Sequence, residues 1–220
     1  MRSVGTAAVP SNAWLRAQRE YKSWANQRLP KHYVSNIIYL GQKFRRFIGR
    51  QGRCLDVGCG NGLIGGKSYR DLGYAYLDRG SVVGVDPLVL QGPKQVWLTE
   101  YVRGVCEHLH FKDDVFDSVV FATTLDHVDD VDACLHECRR VLKPHGALYI
   151  WLTCVLKAGR RYVEHPNRFT QAELEAAVNR NGFKVADVYV EPFIGISRHC
   201  LAVSSGNTVF MKACKKEGYA

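Results

Sequence analysis

Two kinds of hydrophobic spacing alternate along this chain. Compact apolar runs at Arg53 to Val57, Ser81 to Asp86, Tyr101 to Val105, Asp117 to Ala122 and Ala147 to Thr153 read as buried strands. Lys184 to Val190 and Thr208 to Ala213 read as two more, closing the sheet. Helical spacing fills the intervals. Trp14, Ala17, Tyr21 and Trp24 form one aromatic face of a helix capped by Ser11 or Asn12 and running to about Arg28, where Leu29-Pro30 breaks it. A second helix is predicted from Lys31 to Ile48, with Val34, Ile37, Ile38, Phe44 and Ile48 inward. Further helices are predicted over Leu63 to about Leu72, within Pro87 to Thr99, over Val131 to Leu142, and from a Thr170 cap to Arg180. The stretch Lys67 to Leu77 reads either as an extension of its helix or as an inserted turn.

The joint between the first two strands carries the chemistry. Cys54-Leu55-Asp56-Val57-Gly58-Cys59-Gly60-Asn61-Gly62 runs from a strand into a turn with glycine at every second position. The glycines let a ligand lie against the backbone. Asp56 stands just before the turn, and Asp86 ends the next strand. In a doubly wound sheet both fall at carboxyl ends of neighbouring strands, where such folds bind ligands. A dinucleotide fold requires G-x-G-x-x-G and a helix dipole aimed at pyrophosphate. Here the order is D-x-G-x-G-x-G, and a carboxylate beside the turn repels pyrophosphate but suits a ligand carrying positive charge.

This stretch resembles motif I of class I S-adenosylmethionine-dependent methyltransferases, the small-molecule "type 11" group among them. Val85-Asp86-Pro87 resembles that family's ribose-binding acid, and Cys106-Glu107-His108-Leu109-His110-Phe111 its adenine loop. Phe116-Asp117-Ser118-Val119-Val120 with Leu125-Asp126-His127-Val128 resembles strand four and the loop after it. Arg139-Arg140-Val141-Leu142-Lys143-Pro144-His145-Gly146-Ala147-Leu148 resembles the approach to strand five, and Arg168-Phe169-Thr170 through Asn181-Gly182-Phe183 the late helix. The resemblance covers residues 53 to 190 in family order. It implies a Rossmann-like seven-stranded mixed α/β sheet with helices on both faces, the last strand antiparallel, and an N-terminal helical lid. The division expected is residues 1–50 as lid and 51–220 as the S-adenosylmethionine-binding domain.

The resemblance also implies residue roles. Asp56 helps place the cationic amino-acid end of the cofactor, and backbone amides from Gly58 through Cys59 to Gly60 approach its carboxylate. Asp86, followed by Pro87, accepts both ribose hydroxyls, since a carboxylate offers two acceptor oxygens. Cys106 and Glu107 present backbone groups to the adenine, and Thr123 borders the cofactor after strand four. The family often has Asp where Val105 stands, so the contact to the adenine amino group is open or falls to Glu107. The product is S-adenosylhomocysteine.

Methyl transfer is an in-line displacement at a carbon the sulfonium already activates. The enzyme's task is mainly to hold the acceptor behind that carbon, away from water, so no strong dyad need be visible in sequence. His127 is the candidate general base, because histidine titrates near neutrality; the alternative is that Leu125-Asp126-His127-Val128 shapes the loop. Tyr21, Trp24 and Tyr33 are candidate walls of the acceptor pocket, joined by His165 and Arg168, for which loop-structural roles compete.

Composition sets limits on this reading. At 220 residues, 46% hydrophobic and 23% charged, the chain is an ordinary single globular domain, and no run approaches the ~18 apolar residues of a membrane span. No secretory h-region is read at the start. The eight cysteines show no C-x-x-C and no regular framework, which points to free core thiols and a cytoplasmic location. Cys134 and Cys138 lie four apart on one helical face, but without a second ligand cluster no zinc site is expected.

Charge is informative by place. Residues 1–53 hold eleven Lys or Arg against one acid, Glu20, while the remainder is nearly balanced, so the net +9 sits ahead of the glycine turn. Such a segment attracts an anionic small-molecule acceptor, an acyl carrier or RNA. Against RNA, the chain has Thr123-Thr124 where cytosine-5 enzymes carry Pro-Cys after strand four, although Thr153-Cys154 resembles their second element. It also lacks the Asn-Pro-Pro-Tyr of adenine-amine enzymes. A non-catalytic binding module on the cofactor fold is the remaining alternative.

Overall fold

The computed structural model describes residues 31–49, 52–59, 63–64, 67–68, 82–87, 100–155, 165–192 and 206–218. Helix α1, Lys31–Ile48, precedes β1, Cys54–Val57. Two short strands come next, β2 (Leu63–Ile64) and β3 (Lys67–Ser68), then β4 (Val82–Asp86), β5 (Glu100–Arg103) and β6 (Phe116–Ala122). After a 3-10 turn at Leu125–His127 come α2 (Val131–Val141), β7 (Leu142–Val155), α3 (Gln171–Arg180), β8 (Phe183–Pro192) and β9 (Gly206–Lys215).

Seven strands form one sheet in the order β5-β4-β1-β6-β7-β9-β8. β5, β4, β1, β6 and β7 pair in parallel, and β9 runs antiparallel to both of its neighbours. The mixed sheet expected from the sequence, with its last strand reversed, is therefore present. The chain leaves β1 toward β4 and β5, then crosses back to β6 on the other side. That reversal puts a topological switch point between β1 and β6, outside their carboxyl ends.

Central strands are largely apolar because both of their faces are covered. Leu55 pairs with Val83 on one side and Val119 on the other, and Val57 with Val85 and Phe121. These join Leu148, Ile150, Val209 and Met211 in a core packed with Leu135 and Cys138 of α2 and Leu174 and Val178 of α3. Alternate positions face the opposite way: Cys54, Val82, Val120, Tyr149, Trp151 and Phe210 meet Leu40, Phe44 and Ile48 of α1. Phe44 is fully buried, its ring 5.5 Å from Trp151 and 5.1 Å from Phe210. Lys43 pairs with Glu191, and Tyr39 also donates to that carboxylate, fastening α1 to β8. The later turns of α1 are thus a layer of the sheet.

One element departs from the sequence reading. The helix predicted over Leu63 to Leu72 is replaced at its start by a hairpin, with Leu63 opposite Ser68 and Ile64 opposite Lys67. In the sequence Gly65-Gly66 stands between them, a pair costly in a helix. The helices predicted over residues 12–28 and within 87–99 lie outside the described residues. The other boundaries reflect local chemistry. Asp130 caps α2 by accepting from the Asp132 and Ala133 amides, and Thr170 and Glu173 form a reciprocal capping box on α3.

Candidate functional site

The switch point is built from the end of β1 inward. Gly58 has φ +69 and donates its N–H to the Val85 carbonyl at 2.8 Å, which folds the turn over the end of β4. A Cβ on Gly58 would lie 2.0 Å from Thr124 Cγ2, so conformation and space both demand glycine here. Thr124 belongs to the loop after β6, so this contact joins the two strand ends that bracket the switch point.

Asp56 and Asp86 are both buried, at the ends of adjacent strands. Cys59 is buried as well; burial foremost, then the negative charge of Asp56 and Asp86, raises its thiol well above the ordinary range. The Tyr101 phenol, which donates to the Asp86 carbonyl at 3.4 Å, is raised by burial and then by the Asp86 charge. Two carboxylates at adjacent strand ends are acceptors suited to the donors of a ligand. The ribose hydroxyls and ammonium group of S-adenosylmethionine are such donors, so the residues present fit that cofactor. Pro87 comes next, half-buried, while Gly60 lies outside the described residues.

The expected adenine loop lies after β5. Cys106 is buried and disulfide-bonded to Cys134, and Cys138 Sγ lies 3.6 Å from Cys106 Sγ. This disulfide pair departs from the expectation that most cysteines are free core thiols, which Cys54, Cys59, Cys138 and Cys154 follow. Cys134 and Cys138, one helical turn apart, both face inward from α2 onto the loop, leaving His136 exposed. Glu107 turns its side chain to α2, Oε1 accepting from the Asp129 and Asp130 amides at 2.8 and 3.2 Å.

Arg140 then clamps the loop. Its guanidinium donates to the Leu109 and Phe111 carbonyls, each at 2.8 Å, and to Glu137, which itself accepts from the Leu109 amide. In the sequence, Arg140 stands out only as a marker for the next strand. The Glu137–Arg140 spacing of three is the available signal for this pair.

Across the switch point stand the acceptor-side candidates. Thr123 is exposed and holds φ +59, a conformation rare for a β-branched residue, with its N–H bound to the Trp151 carbonyl at 2.8 Å. The 3-10 turn then places Asp126 and His127. Asp126 Oδ2 is 2.6 Å from His165 Nδ1, and the rings of His127 and His165 pack at a tilt of 40° with centroids 4.4 Å apart. Two residues, one expected to be catalytic and one expected in the pocket wall, are thereby brought together.

Burial works to raise the Asp126 carboxyl, but the His127 charge, the bond to His165 and its charge outweigh it and hold the group below the usual range. Asn167 ties the His165 segment down, its N–H donating to the Asp126 carbonyl and its side chain to the Val128 carbonyl. Arg168 is half-buried just beyond. Tyr21 and Trp24 lie outside the described residues, as does the side chain of Tyr33. Among the described residues, two groups gather metal-type ligand atoms within 4.8 Å: Cys106, Cys134 and Cys138, and Asp126, His127 and His165. Cys154 is buried, and burial first, then the charges of Asp126, Glu175 and Glu173, pushes its thiol up to about 12, which leaves it a poor nucleophile at neutral pH.

Comparison with known proteins agrees with this arrangement. A methyltransferase-domain family model matches residues 55–150, from β1 into β7. Over that span the chain is similar to methyltransferase domains of the type 11 kind. Over 126 residues it is 32% identical to the mitochondrial ubiquinone biosynthesis O-methyltransferase of Rattus norvegicus, covering 50% of this chain and 33% of that one. Other curated relatives are likewise named as quinone methyltransferases, and the chain spans from a third to just under two thirds of their lengths.

Among solved structures, the 1,6-didemethyltoxoflavin-N1-methyltransferase of Burkholderia thailandensis superposes with TM-score 0.61 at 16% identity, over 98% of this chain and 94% of that one. It was crystallised with S-adenosylhomocysteine. The 4+2 cyclase SpnF superposes with TM-score 0.60 at 19% identity, over 82% and 81%. These two likenesses establish the fold.

Proposed function

We propose that this protein transfers a methyl group from S-adenosylmethionine to a hydroxyl oxygen on a small aromatic, quinol-type acceptor. The observation that carries the reading is the pair of buried carboxylates, Asp56 and Asp86, flanking a turn in which only glycine fits. The names of the curated relatives favour a quinol-type acceptor, and those named O-methyltransferases favour oxygen as its atom, while others are named C-methyltransferases. When bound, the cofactor supplies a methyl carbon activated by its sulfonium. Asp86 holds the ribose, Asp56 orients the amino-acid end, the turn at Gly58 and Cys59 offers backbone amides, and the backbone of Cys106 and Glu107 borders the adenine. Thr123 and the cluster of Asp126, His127 and His165 stand on the acceptor side, with either histidine suited to take the hydroxyl proton.

The basic segment ahead of the sheet-packed later turns of α1 is the lid in this reading, and its charge favours an acceptor carrying a carboxylate or phosphate. RNA has only that charge in its favour, since the buried Cys154 does not suit attack on a base. The test is methyl transfer from labelled cofactor to a catechol and quinol panel, with metabolite and RNA pools beside it. Label in a catechol methyl ether supports the reading; label in RNA alone, or binding without transfer to any pool, overturns it.

A further inference from the structure

We propose that His165, oriented by Asp126, is the catalytic base that accepts the acceptor's hydroxyl proton, an assignment that rests on the methyltransferase reading above. The bond between His165 Nδ1 and Asp126 Oδ2 is 2.6 Å long, a little shorter than the ~2.7–2.9 Å of a charge-assisted N–H···O bond. An ionised carboxylate only accepts, so Nδ1 carries the proton and Nε2 presents its lone pair. His127 approaches the same carboxylate only to 3.8 Å, too far for a hydrogen bond. The His165 side chain is also twice as exposed, 34% against 17%, and a base must reach its substrate.

Two further observations make the pair a built one. Asn167 fixes the backbone around His165 to the β6 loop by bonds to the carbonyls of Asp126 and Val128. Asp126 Oδ1 is buried with no hydrogen-bond partner among the described residues. A half-satisfied buried carboxylate is costly in a purely structural loop, and it is retained where its charge is needed. Here it stabilises the imidazolium that forms. The dyad lies two residues along the chain from Thr124, which packs on Gly58 at the cofactor turn.

In the step itself, the acceptor oxygen forms the O–CH3 bond as the carbon–sulfur bond breaks and its electron pair stays on sulfur. The hydroxyl proton passes to His165 Nε2, and the Nδ1 proton remains between His165 and Asp126. Asp126 is a positioning residue, and His127 is the wall against which the base packs.

Nitrogen-15 NMR of the histidine rings tests the geometry without any acceptor. The neutral His165 ring is expected to be the Nδ1–H tautomer in the wild type and to lose that preference in Asp126→Asn. Kinetics with catechol as the probe test the role: His165→Gln should lower kcat by ~100-fold or more at an unchanged cofactor KM, and His127→Asn by about tenfold. An Nε2–H tautomer of His165 in the wild type overturns the proposal, as does a larger loss in His127→Asn than in His165→Gln. Calorimetry with S-adenosylhomocysteine separates the two levels, since failure of the wild type to bind it overturns the methyltransferase reading itself.

Discussion

Gly58 and Asp126 show how single residues of the candidate site also hold the fold. Gly58→Ala must place a side chain at φ +69 and against Thr124 Cγ2, so it should destabilise the fold by roughly 1–3 kcal/mol in urea unfolding. Asp126 adds a pH dependence of known sign. Its folded-state carboxyl sits below the ordinary value of about 3.9, so the unfolded chain takes up the proton first. The stability it contributes is complete above that value and is lost as pH falls through the folded one. Asp126→Asn should therefore flatten the acid limb of thermal stability below about pH 4, measured by circular dichroism from pH 7 to 2. An unchanged acid limb would show that His165 and His127 do not hold the carboxyl down.

At the scale of elements, loop and helix are the coupled unit. The expected adenine loop has little regular structure, and Arg140 and Glu137 of α2 supply bonds to its carbonyls and amide. Arg140→Gln should loosen residues 106–111, seen as faster amide exchange there, with roughly 1–3 kcal/mol lost in stability and a several-fold weaker affinity for S-adenosylhomocysteine. Exchange unchanged in the loop would mean the clamp does not act.

Boundaries are legible wherever chain-local chemistry sets them. α1, α3 and the central strands can be read from Pro30, the Thr170–Glu173 box and apolar runs. Asp56, Gly58 and Asp86 are legible because strand ends and glycine spacing specify them. The hairpin at 63–68 is hidden by a helical reading that passes over Gly65-Gly66. The Asp126–His165 bond, the Cys106–Cys134 link and the Arg140 clamp join residues 39, 28 and 31 positions apart. Such pairings depend on which loops the sheet order brings together, and no local pattern encodes that.

Across the whole molecule, the arrangement is asymmetric in charge and in chemistry. Ten of the eleven basic residues in the first 53 precede Arg53, and the remainder of the chain is nearly neutral. Replacing Arg16, Arg19 and Lys22 with Gln should leave cofactor affinity unchanged, raise the KM for a carboxylated catechol several-fold and reduce its salt dependence. Equal KM at low and high salt in the wild type would remove the electrostatic role. No described helix is long and apolar enough to cross a membrane. The sheet order places Asp56, Asp86 and Asp126 at strand ends around one switch point, and in the proposed reading a bound cofactor would connect them. The most direct measurement is calorimetric titration of the wild type and Asp86→Ala with S-adenosylhomocysteine. The wild type should bind, and removing the ribose acceptor should weaken affinity at least about tenfold with the fold intact. No binding by the folded wild type, or equal affinity in both proteins, would contradict the account.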